Sequence, residues 1–143
     1  MDNRQVAERY MEAIQARDLQ RQRELLHPEI VARYPQSGET FRGADNYLTM
    51  LASFPHGLPE GEMTSLQGES STAIIPSPLP HVRPTITVFG GDQYVIEGRA
   101  QYPEGEYLVV ALLRLQGGLV REETWYFASP FDPPEWRQPY AEP

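Results

Sequence analysis

Residues 106–115 read EYLVVALLRL, and this stretch limits the fold more tightly than any other. Side chains of an extended chain alternate between two faces. Here Tyr107, Val109, Ala111 and Leu113 share one face, Leu108, Val110 and Leu112 the other, and both sets are apolar. A strand apolar on both faces needs cover on both, so it belongs inside a sheet. The chain after Pro84 supplies its neighbours: TITVFGG, DQYVIEGRAQYPEGE and LVREETWYFASPF, joined by the turns GGD, YPEGE and QGG. Such spacing predicts an antiparallel meander. In QYVIEGRAQY the faces differ. Tyr94, Ile96, Gly98, Ala100 and Tyr102 form the core or pocket side, while Gln93, Val95, Glu97, Arg99 and Gln101 face outward.

Cover for one sheet face comes from the N-terminal third. Val6, Tyr10, Met11 and Ile14 recur at helical spacing over residues 3–17, with Asp2 or Asn3 as cap. Asp18 opens a second, short helix through Leu25 and Leu26, stopped at His27 by Pro28. A strand over 29–34 ends where Tyr34 precedes Pro35. Gly43 and Asp45 then lead into a third helix carrying Tyr47, Leu48, Leu51 and Phe54. From Gly57 to Pro84 only weak strand signals survive, at EMTSLQ and STAII, so an edge hairpin or long loop is expected, with 76–84 the densest Pro-rich part. The tail DPPEWRQPYAEP is expected to pack as an extended segment through Trp136. For the outer sheet face, a second copy of the chain is the simplest cover, which predicts a homodimer.

The chain has 143 residues, enough for one domain with a real core, and a single domain over 1–143 is expected. It contains no cysteine, which excludes disulfides, thiolate metal sites and a Cys nucleophile. Its formal charge of -8 opposes phosphate backbones, so nucleic acid is not an expected partner. All its fixed cations are Arg, which removes Schiff-base and P-loop lysines. His27, His56 and His81 lack metal-ligand spacing, so neither metal nor cofactor is expected. No apolar run approaches the ~20 residues of a membrane helix, and the N-terminal residues lack a signal-peptide centre. A cytoplasmic protein without membrane association is the expectation.

Helix, short helix, strand, helix and antiparallel meander, in that order, resemble the SnoaL-like, nuclear transport factor 2-like superfamily, related to ketosteroid isomerases. The ending RLQGGLVREETWYFASPFDPPEWRQPY is similar to a SnoaL-like subgroup with an aromatic, Pro-rich terminus. The resemblance implies an α+β, cystatin-like cone: three N-terminal helices in the concave face of a curved, mostly antiparallel sheet, around a pocket. Steroid isomerases of this superfamily carry a first-helix Tyr that donates to the developing enolate oxygen, and Tyr10 matches it. Their general base, an Asp before a Pro, corresponds to Tyr34, and their protonated-acid donor falls near Ala111. In the superfamily's epoxide hydrolases a catalytic carboxylate precedes an aromatic pair on the last strand, and Trp125 stands there.

The same alignment turns Glu123, Trp125 and Phe127 into the cone. A carboxylate among aromatic rings has its charged form disfavoured by desolvation, which suits it to proton transfer. Glu123 with Tyr10 and Tyr34 is thus the candidate catalytic set, against the plainer expectation that Glu123 sits at the rim or pairs with an Arg. Phe54, Tyr94, Ile96, Tyr102, Ala111, Trp125 and Phe127 are the candidate ligand-binding residues. Whether the chain is an enzyme stays open. With the matched acid and base residues replaced, it is expected to bind a small apolar molecule; the alternative is a cofactor-independent isomerase or cyclase working by proton transfer next to a carbonyl.

Overall fold

The computed structural model describes residues 1–68, 73–75, 86–88 and 91–142, without the side chains of 64, 65, 73–75 and 86–88. The Pro-rich segment 76–84, including His81, lies outside the described residues.

Helix α1 (Asn3–Gln15) starts from a capping box: Asp2 accepts from the Gln5 N–H, and the Gln5 side chain accepts from the Asp2 N–H. Its inner stripe buries Val6, Ala7, Tyr10 and Ala13. Each large apolar side chain so buried contributes roughly 1.5–3 kcal/mol. Helix α2 (Leu19–Leu25) is capped by Asp18, which accepts from the Arg21 N–H. Between the two helices Arg17 turns the chain at φ 57°.

Strand β1 (Leu26–Tyr34) begins earlier than expected and runs through Pro28. Its pairing to the last strand lapses between Leu26 and Val31, so proline's missing N–H removes no ladder bond there. After Pro35 the chain reverses at Gly38 into β2 (Glu39–Arg42), antiparallel to β1. This hairpin was not expected, because four residues with one apolar side chain, Phe41, show no usable alternation. Gly43, at φ 87°, then opens α3 (Ala44–Ala52), whose buried face is Ala44, Tyr47, Leu48 and Leu51. Phe54 follows the helix instead of closing its stripe.

The remaining elements are β3 (Glu60–Gly68), β4 (Ala73–Ile75), β5 (Ile86–Val88), β6 (Gln93–Tyr102), β7 (Gly105–Gln116), β8 (Leu119–Ala128) and a 3-10 helix (Glu135–Tyr140). Among the described residues the main sheet has the order β2-β1-β8-β7-β6-β3, with β1 and β8 parallel and its other neighbours antiparallel. It is curved and does not close. Two expectations are corrected. The weak EMTSLQ signal belongs to a full strand on the β6 edge, and TITVFGG leaves the meander to pair as β5 with β4. Where β3 crosses β6, a Cβ on Gly98 would lie 2.5 Å from the Glu62 carbonyl oxygen and 2.9 Å from Met63 Cε. Only glycine permits that approach.

The inner sheet face holds Tyr94, Ile96, Ala100, Val109, Ala111, Leu113 and Trp125, with α1 packed on β3 and β8 and α3 on β1 and β2. On β8 a bulge at Arg121 breaks the alternation: Arg114 faces Glu122, but Leu115 faces Val120. Val120 and Glu123, three apart, therefore both point inward. Outside, Glu122 bridges Arg114 at 2.6 Å and Arg33 at 3.6 Å, tying β7, β8 and β1 together. Arg99 pairs with Glu106 across to β7. Leu108 and Tyr126 are 45% and 44% exposed on that outer face. The tail departs from expectation. It winds into a 3-10 turn, and Trp136 is 73% exposed with Arg137 over its ring.

Candidate functional site

The inner face of β8 and the helices enclose a cavity of about 90 Å³. Tyr10 and Ile14 of α1, Tyr47 and Leu51 of α3, and Trp125 and Phe127 of β8 contribute to its wall. Tyr34 and Phe54 reach it from the end of β1 and from beyond α3, and Met63 and Tyr102 from the strands opposite. The lining is mostly apolar, its polar side chains being the tyrosines, Arg17 and Gln22. Tyr34 stands edge-on to Phe41, Tyr47 and Phe127, and Trp125 stacks parallel to Phe127, so the rings fix one another.

Glu123 lies beneath this wall with no exposed surface. The Tyr10 hydroxyl donates to its Oε2 at 2.7 Å, and the Tyr34 and Tyr47 hydroxyls lie 3.3 Å apart. Desolvation pushes the Glu123 carboxyl above its ordinary value, while the nearby Tyr47 and Tyr10 hydroxyls and the Trp125 indole pull it partway back. Only the Tyr10 bond closes with good geometry. Among the described residues, Glu123 Oε1 and Trp125 Nε1 are buried without a hydrogen-bond partner. Burial raises the phenols of Tyr10, Tyr34 and Tyr47 as well, each further raised by the negative charge of Glu123.

Chemically, the arrangement is a buried acid that holds its proton more tightly than a free glutamate, bonded to a phenol that touches the cavity. Among the described residues no group of three His, Cys, Asp or Glu is placed to hold a metal, and no helix is long and apolar enough to cross a membrane.

Residues 7–68 match the model of the SnoaL-like domain family. An NTF-2 like protein of unknown function from Burkholderia xenovorans superposes with a TM-score of 0.76, at 23% identity over 99% of this chain and 94% of that one. The chain has the SnoaL-like, NTF2-like fold. A putative ketosteroid isomerase from Kribbella flavida shares it at TM-score 0.70 and 18% identity, over 99% of this chain and 88% of that one. So does a steroid delta-isomerase from Pseudomonas aeruginosa, at TM-score 0.65 and 17% identity, over 89% and 80%. A search of curated proteins found no significant match.

Within this SnoaL-like fold the sequence candidates divide. Glu123 and Tyr10 are hydrogen-bonded to each other, and Glu123 is neither at the rim nor paired with an Arg. Tyr34 bonds Tyr47 instead of Glu123. Phe54, Tyr102, Trp125 and Phe127 line the cavity. Tyr94, Ile96 and Ala111 are buried in the core and take no part in the cavity wall; Ala111 lies opposite Trp125 across the β7–β8 ladder. Sequence reasoning passed over Tyr47, which it assigned to a helix stripe. The signal was its hydroxyl: a phenol on the buried face of a helix needs a polar partner. Arg17 and Met63 were also missed, and neither carried a pattern.

Proposed function

We propose that this SnoaL-like protein binds a small apolar molecule in the cavity above Glu123. The observation that supports this reading most is the ring-lined cavity itself, walled by Tyr10, Tyr34, Tyr47, Phe54, Trp125 and Phe127. Apolar concavities with few polar groups are the usual sites for such ligands. A cavity of about 90 Å³ takes roughly one small ring; a larger ligand has to extend beyond it. The test uses Trp125 as reporter after Trp136→Phe, since these are the two tryptophans of the chain. Fragment-sized phenols and aryl ketones are expected to change its fluorescence saturably. Linear, unsaturable responses across the series would reject the pocket.

A second reading, cofactor-independent proton transfer next to a carbonyl, is favoured by the 2.7 Å Tyr10–Glu123 bond. In its carboxylate form Glu123 would take the proton from the carbon beside the carbonyl while phenol hydroxyls hold the enolate oxygen, then return that proton to carbon. Glu123 has no exposed surface, so Oε1 must first turn toward the cavity. Deuterium exchange into bound ketones, lost in Glu123→Gln, tests this reading. The similarity to solved proteins described as ketosteroid or steroid isomerases supports looking for this chemistry. We also propose a homodimer through the outer sheet face, where Leu108 and Tyr126 stand exposed beside Val110 and Leu112.

A further inference from the structure

The cavity above Glu123 adjoins a wider recess of about 530 Å³, with Arg17, Phe54, Leu58, Pro59 and Tyr102 in both walls. Among the described residues of the two walls, Arg17 supplies the single fixed positive charge. Of the arginines in α1 and α2, Arg4 pairs with Glu8, Arg21 with Glu12 and Arg23 with Asp45, while Arg9 has no ion pair among the described residues. Arg17 makes no such pair, and its guanidinium forms no hydrogen bond among the described residues. It is also the one non-glycine residue at positive φ among them, held there by the bond from its N–H to the Ile14 carbonyl at 3.0 Å. That conformation is the ordinary left-handed close of a helix, completed by the bond from the Asp18 N–H to the Ala13 carbonyl at 2.9 Å, and it sets the exposed Arg17 at the junction of the two cavities.

From this we infer that the ligand is an amphipathic monocarboxylate: its apolar end fills the inner cavity and its carboxylate meets Arg17 at the junction. The inference rests on the small-molecule reading above and names the class of ligand. A planar guanidinium binds a carboxylate through two parallel hydrogen bonds. Glu60 and Glu104 stand in the wall of the outer recess, so a second negative charge on the ligand would be opposed. That favours a carboxylate over a phosphate dianion. The overall charge of -8 repels anions in general, which leaves Arg17 as a local point of attraction.

The experiment compares 3-phenylpropanoate with its neutral isostere 3-phenylpropanamide, read by Trp125 fluorescence in the Trp136→Phe background. In the otherwise unchanged chain the acid is expected to bind about tenfold more tightly than the amide, the increment of one charge-assisted contact. Arg17→Asn removes the charge while suiting the left-handed backbone, so the fold is kept. It is expected to bring the acid down to the amide's affinity and leave the amide unchanged, which also shows that the cavity is intact. Equal binding of acid and amide before substitution, or a preference for the acid that survives in Arg17→Asn, overturns the role of Arg17 while the cavity reading stands. Failure of both compounds to bind the unsubstituted chain overturns both readings.

Discussion

Glu123 concentrates the chemistry of this molecule in one side chain. Because burial holds its proton in the folded state, folded chains bind more protons than unfolded ones from the ordinary glutamate range, ~4.3, up through the raised value. Stability must therefore fall as pH rises through that window. Glu123→Gln, which keeps the shape without the charge, is expected to fold, and to gain stability relative to the unsubstituted chain with rising pH in urea unfolding. A difference that stays flat with pH would show that Glu123 titrates normally. Tyr10→Phe leaves the carboxyl without its one closed hydrogen bond, and is expected to cost about 1–3 kcal/mol and to raise the Glu123 pKa further by carbon-13 NMR. The phenols of Tyr10, Tyr34 and Tyr47 are raised as well, so they should resist ionisation past ~10 and appear in alkaline ultraviolet titration only as the chain unfolds. At this scale the sequence was informative where a residue type was out of place. Glu123, sharing a strand face with Trp125 and Phe127, was conspicuous; Tyr47 on an apolar stripe was not, since its hydroxyl is invisible to periodicity.

The elements were legible in proportion to the regularity of their pattern. Helix α1 and strands β6 and β7 follow from unbroken period and clear turns, and β8 from its turn and its aromatic end. Strand β3 did not, because Gly61, Thr64 and Gly68 dilute its alternation, and its pairing with β6 supplies what local propensity lacks. The bulge at Arg121 was equally hidden, since nothing local announces that two residues will oppose one. Gly98 marks the tight contact. Gly98→Ala is expected to separate β3 from β6 locally and to cost roughly 1–3 kcal/mol in denaturant unfolding, with Met63 displaced from the cavity. Unchanged stability would mean the two strands have room to part.

For the whole molecule, the homodimer proposed through the outer sheet face is open to a single substitution. Val110→Asp places a charge among Leu108, Leu112 and Tyr126, and size-exclusion chromatography is expected to show monomers where the unsubstituted chain elutes as a dimer. An unaltered elution position would remove this face from the interface. The topology also carries a consequence for how the protein is made. Tyr10 and Glu123 are separated by 113 positions, and β1 finds its parallel neighbour only in β8. On the ribosome α3 can meet β1 and β2, and α1 can meet β3, before β8 emerges, but Tyr10 has no acid to bond until that last strand arrives. The pocket therefore comes into being in one late step, and a chain interrupted before β8 has its phenols but no site.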